Sequence, residues 1–298
     1  MQQSTFTLRD AESGIELQVA AHGAELQSLR RHGREYLWQG DARWWGRRSP
    51  VLFPMVGRVW GDAFRVDGRS YPMGQHGFAR DSEFVAAEAP EGTLAFELHS
   101  SASTLERFPY PFTLRVTYRI DGDAVTVGWS VRTDGERPMP FQIGAHPAFY
   151  LPSHYTGEAP GGVRGYFALD AAGPLHYLSP AERGCMGAAR HTLNGTRLMP
   201  LTAGTFDCDT YAFDDGLLRR IDMLAPDRSP WLSVEFDAPL VALWAPTATK
   251  PDCPFVCIEP WYGRADTTGY DGEWADRDCM NTVAPGQEWH ASYRIILH

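Results

Sequence analysis

Hydrophobic and polar residues alternate with a period of two along much of the chain. The alternation is clearest from Leu114 to Ile120, and it resumes from Val125 to Val131 after the turn sequence Asp121-Gly122-Asp123. Successive side chains of a β-strand point to opposite faces, so the pattern predicts two half-buried strands joined as a hairpin. Six further segments show the same pattern: 15–19, 94–98, 231–236, 241–244, 255–258 and 289–297.

Helical spacing of hydrophobic residues is almost absent, and we expect one short helix, near residues 103–107. Many short strands together with 29 glycines and 22 prolines predict an all-β fold, a large antiparallel β-sandwich. Segments 152–165, 179–190 and 262–281 are rich in glycine, proline and polar residues and separate strands. Because long loops in compact proteins usually carry function, we expect some of them to border a binding site. We expect a single domain spanning residues 1–298.

Charge and cysteine content narrow the functional class. The formal net charge of the 298 residues is -10, which argues against non-specific binding of nucleic acid. The sequence shows no secretory signal and no run of about 18 apolar residues, so we expect a cytoplasmic protein without a membrane segment. Five scattered cysteines are typical of reduced thiols. Cys253 and Cys257 are four residues apart, but no second ligand pair follows at zinc-finger spacing.

Three short segments bring ionisable groups into stretches of aromatic and small residues. They are His76-Gly77-Phe78-Ala79-Arg80, Gly144-Ala145-His146-Pro147-Ala148-Phe149 and Ile258-Glu259-Pro260-Trp261. Together they supply two imidazoles, a carboxylate and a guanidinium. This set can move protons on a sugar hydroxyl without a metal or a nucleotide.

The residues alone leave two interpretations of each candidate open. Glu259 follows an apolar run and precedes Trp261, where partial desolvation raises the basicity of a carboxylate, yet it is also placed to form an ordinary ion pair at a strand end. His146 has small neighbours that let a ligand approach, yet it also fits a hydrogen-bonded core histidine. His76 is placed to contact a ligand or to satisfy the backbone of a turn.

Arg58 and Arg80 offer planar donor forks for hydroxyls or for a phosphate, although most arginines form surface ion pairs. Asp209 lies among several acidic residues and is a candidate acceptor for sugar hydroxyls or part of a solvated acidic turn. Four aromatic residues are candidates for stacking on the apolar face of a sugar: Phe78, Phe149, Trp244 and Trp261.

The three segments, in this order, resemble the aldose 1-epimerase (galactose mutarotase) family, in particular its LacX-like and hexose-6-phosphate epimerase branch. The resemblance covers nearly the whole chain except segments 153–190 and 262–281. Further matching segments are Gly23-Ala24-Glu25-Leu26-Gln27-Ser28-Leu29, Glu35-Tyr36-Leu37-Trp38-Gln39-Gly40 and Met139-Pro140-Phe141.

The resemblance implies a galactose mutarotase-like sandwich and a cofactor-free isomerase that interconverts the anomers of an aldohexose or hexose 6-phosphate. Glu259 would be the general base that removes the anomeric hydroxyl proton, and His146 the general acid that protonates the ring oxygen, assisted by His76. Asp209 would accept hydrogen bonds from sugar hydroxyls. Arg58 and Arg80 would hold a phosphate. The partner expected is therefore a small sugar or sugar phosphate, bound by a monomer or homodimer.

Two alternatives to an epimerase remain open from the sequence. His76, His146 and Glu259 are the ligand types of a facial triad for iron or manganese on a cupin-like barrel, although such a site usually places two ligands close together on one strand. The second alternative is a sugar-binding or regulatory module with the same fold and no catalytic activity.

Overall fold

The computed structural model describes residues 4–171, 173–193 and 197–298. The described residues form 25 strands. The first thirteen are β1 (Thr5–Asp10), β2 (Ile15–Ala20), β3 (Leu26–Arg31), β4 (Arg34–Glu35), β5 (Val51–Leu52), β6 (Ala63–Val66), β7 (Arg69–Pro72), β8 (Val85–Ala87), β9 (Thr93–His99), β10 (Phe112–Asp121), β11 (Ala124–Thr133), β12 (Met139–Phe141) and β13 (Ile143–Ala145). The others are β14 (Ala148–Tyr150), β15 (Tyr166–Leu169), β16 (Leu175–Tyr177), β17 (His191–Leu193), β18 (Leu198–Pro200), β19 (Thr210–Phe213), β20 (Arg220–Leu224), β21 (Pro230–Phe236), β22 (Leu240–Trp244), β23 (Phe255–Tyr262), β24 (Asn281–Val283) and β25 (Glu288–Leu297).

The strands form two large antiparallel sheets and several smaller ones. The larger sheet has nine strands in the order β18-β15-β20-β21-β25-β11-β10-β9-β8. The second has six strands in the order β19-β22-β23-β13-β5, with β14 also paired to β23. A four-stranded sheet, β1-β2-β3-β4, and three two-stranded pairs, β12-β24, β16-β17 and β6-β7, complete the described topology. The predicted all-β fold built from antiparallel sheets is confirmed.

The predicted hairpin lies within the nine-stranded sheet, beside its central strand β25. β10 and β11 pair from Phe112 opposite Thr133 to Asp121 opposite Ala124. Gly122, one of the two residues between the strands, has a φ of 63°, a conformation that glycine adopts without a steric penalty. The six other predicted strands are also present, each lengthened by a few residues at most.

One hydrophobic core lies between the two large sheets. It includes Val116 and Val127 from the nine-stranded sheet and Leu243, Val256 and Ile258 from the six-stranded sheet. Because strand side chains alternate, the neighbours of these last three residues face away from this core. The six-stranded sheet therefore has a second face, on the side away from this core.

The helix content was partly mispredicted. The expected helix lies at α1 (Ala102–Leu105), where Ser101 and Thr104 form a capping box. A second helix, α2 (Ser153–Thr156), was not expected, and its four residues are too few to show helical periodicity. Five 3₁₀ turns lie among the described residues, at Trp60–Asp62, Ala79–Asp81, Pro160–Gly162, Pro246–Ala248 and Trp274–Asp276.

The cysteines are unpaired, as expected for reduced thiols. Cys253 and Cys257 are buried in a small aromatic cluster with Trp38 and Phe255. In the part of the chain that the structure describes, no helix is long and apolar enough to cross a membrane.

Candidate active site

Glu259 lies on the second face of the six-stranded sheet. Ile258 points into the main core, so alternation along β23 turns Glu259 to the opposite side together with Cys257 and Trp261. Ala242 lies directly across from Glu259 on β22. Glu259 is only 1% exposed.

His146 faces Glu259 from the neighbouring strands. It lies between β13 and β14, both of which pair with β23, and Nε2 of its imidazole is 3.4 Å from Oε2 of Glu259. One face of the ring stacks on Trp45, with centroids 4.7 Å apart, and the edge of Trp244 approaches at 5.5 Å. Nδ1 of His146 and Oε2 of Glu259 are buried without a hydrogen-bond partner among the described residues.

His76 completes the acid–base group from a loop. Its backbone has a φ of 63°, and two hydrogen bonds join it to Gly57. The His76 N–H donates to the Gly57 carbonyl over 2.7 Å, and the Gly57 N–H donates to Nδ1 of His76 over 3.1 Å. Because Nδ1 accepts a hydrogen bond, the neutral ring carries its proton on Nε2. The His76 and His146 ring centroids are 5.5 Å apart.

Burial determines the charge state of these groups. Desolvation, with a smaller contribution from Asp209, raises the pKa of Glu259 well above its ordinary value of 4.5. Desolvation lowers the pKa of His146 to about 3, and the pKa of His76 also falls well below 6.5. Burial thus favours the neutral carboxyl group of Glu259 and the neutral imidazole of His146. The resemblance implies the other two forms, an ionised Glu259 and a protonated His146.

These side chains line a cavity of about 280 Å³, close to the lower end of the range for ligand pockets, about 300 Å³. Asp209 and Trp244 are in its wall, and Oδ1 of Asp209 accepts a hydrogen bond from Nε1 of Trp244 over 2.9 Å. Two of the three long loops contribute, as expected for loops that border a site. The lining residues are Trp45, Gly57, Gln75, His76, Arg80, His146, Pro180, Gly184, Met186, Asp209, Thr210, Trp244, Glu259, Trp261 and Ala265.

The two predicted arginines differ in position. Arg80 lines the cavity and donates from Nη2 to the Gln75 carbonyl over 2.6 Å. Burial lowers its pKa to about 10, so it remains charged at neutral pH. Arg58 does not line the cavity. It packs behind Gly184, which does, and its Nη1 is 3.2 Å from Oδ1 of Asp62.

Sequence reasoning missed two residues and misassigned two others. Trp45 lines the cavity, and Arg47 lies close enough for its charge to lower the pKa of both histidines. Both belong to a loop without hydrophobic periodicity, and the only sequence signal is the basic and aromatic run at 43–48. Phe78 and Phe149 are buried in the main core and do not line the cavity, so they are not available to stack on a ligand there.

The site also contains one group of metal-ligand types. Donor atoms of His146, Cys257 and Glu259 lie within 4.8 Å of one another, whereas His76 is not part of this group. Burial and the neighbouring Glu259 raise the pKa of the Cys257 thiol well above 9. The alternative of a facial triad of His76, His146 and Glu259 on a cupin-like barrel does not agree with the observed sandwich, and His76 is not in the group of donor atoms that lie together.

We expect the raised pKa of Glu259 to make stability depend on pH. The protonated carboxyl is favoured in the folded state, so its contribution to folding is complete below pH 4.5 and is lost as pH rises through the folded-state pKa. Relative to Glu259→Gln, the wild-type protein should therefore lose about 1.4 kcal/mol of unfolding free energy for each pH unit within that window. Urea unfolding of both proteins at pH 5 and pH 8 tests this. A difference in stability that is constant between the two pH values would contradict it.

The fold is a large antiparallel β-sandwich whose six-stranded sheet presents a buried carboxyl group and a buried imidazole to a small cavity. The sequence model of the aldose 1-epimerase family matches residues 4–294. The chain therefore belongs to the aldose 1-epimerase family and is an isomerase.

Three of the similar proteins come from Lactococcus and Lactobacillus. The chromosomal protein LacX of Lactococcus lactis subsp. lactis is 29% identical over 293 residues, which cover 95% of this chain and 96% of LacX. A galactose mutarotase-related enzyme from Lactobacillus acidophilus has a TM-score of 0.89 at 28% identity, covering 99% of this chain and 97% of that one. A galactose mutarotase-like protein from Lactobacillus casei ATCC 334 has a TM-score of 0.90 at 27% identity, covering 99% and 100%. The predicted family and the galactose mutarotase-like fold are confirmed.

Proposed function

We propose that this protein interconverts the α and β anomers of an aldohexose or hexose 6-phosphate by opening and closing the sugar ring. The observation that carries the proposal is the contact between Glu259 and His146, two buried proton-transfer groups 3.4 Å apart, in the wall of a cavity. Ring opening requires one group to accept a proton and another to donate one, and this pair holds the single proton that the exchange needs.

The proposed reaction moves two protons and breaks one bond. Glu259 as the carboxylate takes the proton of the C1 hydroxyl, His146 as the imidazolium gives a proton to the ring oxygen, and the C1–O5 bond breaks. The aldehyde formed turns about the C1–C2 bond. The hydroxyl group at C5 then attacks the other face of C1. In this step Glu259 gives its proton to the oxygen at C1, and His146 takes the proton of the C5 hydroxyl, so both groups return to their starting charge states. No atom is gained or lost, as expected for an isomerase.

The reactive charge state differs by one proton transfer within the pair from the neutral forms that burial favours. Hydrogen bonds from sugar hydroxyls to Glu259 favour its carboxylate, and stacking on Trp45 favours the imidazolium form of His146 through cation–π attraction. We therefore propose that binding of the sugar moves the proton from Glu259 to His146. The Nε2–H group of His76 is then a hydrogen-bond donor to the ring oxygen or an adjacent hydroxyl.

Arginine placement supports a phosphorylated substrate. Arg47, Arg58 and Arg80 all lie close enough to His76 for their charges to lower its pKa, and Arg80 lines the cavity. Nε of Arg80 is buried 3.7 Å from Oδ2 of Asp81, and the side chain keeps its charge at neutral pH. A charged guanidinium in the cavity wall is suited to an oxygen of a 6-phosphate group.

Substrate preference tests the phosphate part of the proposal. We expect wild-type protein to act on glucose 6-phosphate or galactose 6-phosphate with a higher kcat/KM than on the free sugar. Arg80→Gln should reduce this advantage by about 10- to 100-fold, because a charged hydrogen bond contributes about 1.5–3 kcal/mol. Polarimetry of freshly dissolved anomers gives the rates. Arg119→Gln is the control, since Arg119 lies at an exposed strand end and pairs with Asp121.

The outcomes distinguish the proposal that the substrate is phosphorylated from the proposal that the protein is an epimerase. If the free sugars react faster than their phosphates, the arginines do not bind phosphate, although the epimerase proposal remains. If Arg80→Gln slows both kinds of sugar equally, Arg80 contacts a hydroxyl common to both.

A further inference from the structure

Asp266 is a buried carboxylate that does not line the cavity, yet it contacts the segments on which the site depends. Its side chain is 6% exposed. Oδ1 accepts a hydrogen bond from Nε of Arg277 over 2.5 Å, and Oδ2 accepts one from the backbone N–H of Trp60 over 2.7 Å. Both carboxylate oxygens therefore have a hydrogen-bond partner, one the buried guanidinium of Arg277 and the other the backbone amide of Trp60.

The backbone of Asp266 is bound on both sides as well. Its N–H donates to the Arg58 carbonyl over 2.9 Å, and its carbonyl accepts from the Met186 N–H over 2.8 Å. Asp266 thus joins the segment 57–60 to the loop that carries Gly184 and Met186, two residues of the cavity wall.

The segment 57–60 is also the support of His76. Two hydrogen bonds join Gly57 to His76. The Gly57 carbonyl accepts from the His76 N–H, and the Gly57 N–H donates to Nδ1 of His76, which leaves the ring proton on Nε2. Ala265, the neighbour of Asp266, packs so tightly on Gly57 that a Cβ placed there would lie 2.5 Å from the Ala265 methyl group. The packing of Ala265 on Gly57 and the hydrogen bonds of Asp266 to Arg58 and Trp60 therefore restrain the position of the Gly57 N–H.

We propose that Asp266, held by Arg277, is a positioning residue that fixes the Nε2–H tautomer of His76 through Gly57. Its importance for catalysis rests on the proposed function, but its effect on His76 does not. Without the carboxylate, the Trp60 N–H and the guanidinium of Arg277 lose their partner. The segment 57–60 is then held to residues 265 and 266 only by the backbone hydrogen bond from residue 266 to the Arg58 carbonyl and by the packing of Ala265 on Gly57. This looser attachment lets the Gly57 N–H move away from Nδ1.

The test compares Asp266→Asn with Asp278→Asn. Both substitutions remove a carboxylate that pairs with an arginine in the same loop, but the Asp278 side chain pairs with Arg264 and its carboxylate has no hydrogen bond to the segment 57–60 in the described residues. The first readout is the imidazole ¹⁵N spectrum of histidine-labelled, ligand-free protein, with the His76 signals assigned by His76→Asn. The second is kcat/KM for anomer exchange.

We expect wild type and Asp278→Asn to show His76 as the pure Nε2–H tautomer, and Asp266→Asn to show a mixture. We expect kcat/KM to fall about 10- to 100-fold in Asp266→Asn alone, the scale of loss for a small misplacement of a positioned group. Arg277→Lys keeps the charge without the guanidinium and should show a smaller change of the same kind. It serves as the second variant if Asp266→Asn does not fold.

The proposal is overturned if His76 keeps the wild-type tautomer in every variant that folds. It is also overturned if the tautomer changes while kcat/KM stays at the wild-type value. Because the ¹⁵N spectrum is recorded without substrate, its result is independent of whether the protein is an epimerase. If Asp266→Asn shows the tautomer mixture but the wild-type protein does not catalyse anomer exchange, only the proposed function is contradicted.

Discussion

Glu259→Gln is expected to lower kcat for anomer exchange by about 10²- to 10⁴-fold, the contribution of a positioned general base. The amide has nearly the shape of the carboxyl group, and the side chain is buried opposite Ala242, so the fold and the cavity should be retained. An amide does not accept the C1 hydroxyl proton at any accessible pH. KM should change much less than kcat, because the loss occurs in the transition state.

Glu235→Gln is the matched control for this substitution. Glu235 lies on β21 of the nine-stranded sheet and pairs with Arg220 and Arg294, away from the cavity. It should leave the exchange rate at the wild-type value. An active Glu259→Gln protein would show that Glu259 is not the base. If the wild type and Glu259→Gln bound sugar equally and neither accelerated exchange, a non-catalytic sugar-binding module would be the better description.

His146→Gln should produce a loss of similar size, about 10²- to 10⁴-fold in kcat. The substitution also changes the pH dependence. Since burial lowers the pKa of His146 to about 3, the pair gains a second proton only far below pH 6.5, and the acid limb of the wild-type kcat/KM profile should lie below that pH. In His146→Gln this limb should be absent from the residual rate.

His99 provides the control for His146→Gln. His99→Gln changes a half-exposed histidine on β9, which bonds to Thr113, and should leave both rate and profile unaltered. A wild-type profile that falls with a midpoint near 6.5 would show that a solvated histidine, and not the buried His146, limits the reaction.

The parts of the fold that follow a period of two could be predicted from the sequence. Because side chains alternate along β23 and Ile258 faces the core, Glu259 faces the opposite side, where it lines the cavity. This orientation follows from the alternation of hydrophobic residues in one strand. The two short helices follow no such pattern. α1 is stabilised by a capping box of only two residues, and α2 has no side-chain cap at its N-terminus.

The site could be predicted only where its residues lie in recognisable segments. His76, His146 and Glu259 stand in three such segments, and the structure brings them together around one cavity. Trp45, Arg47 and Asp266 act through contacts with residues distant in sequence, and nothing in their local pattern indicates those contacts. The charge state of the pair was also beyond sequence reasoning, because it depends on how completely both groups are buried.

Two-dimensional exchange NMR of the wild-type protein with ¹³C1-labelled sugars tests the central claim most directly. Glucose, galactose and their 6-phosphates would each be measured at low buffer concentration, with and without protein. The proposed function predicts cross-peaks between the α and β anomers whose rate rises in proportion to protein concentration for at least one of these sugars. Rates that do not change with protein concentration for all four, with sugar binding still detectable, would contradict it.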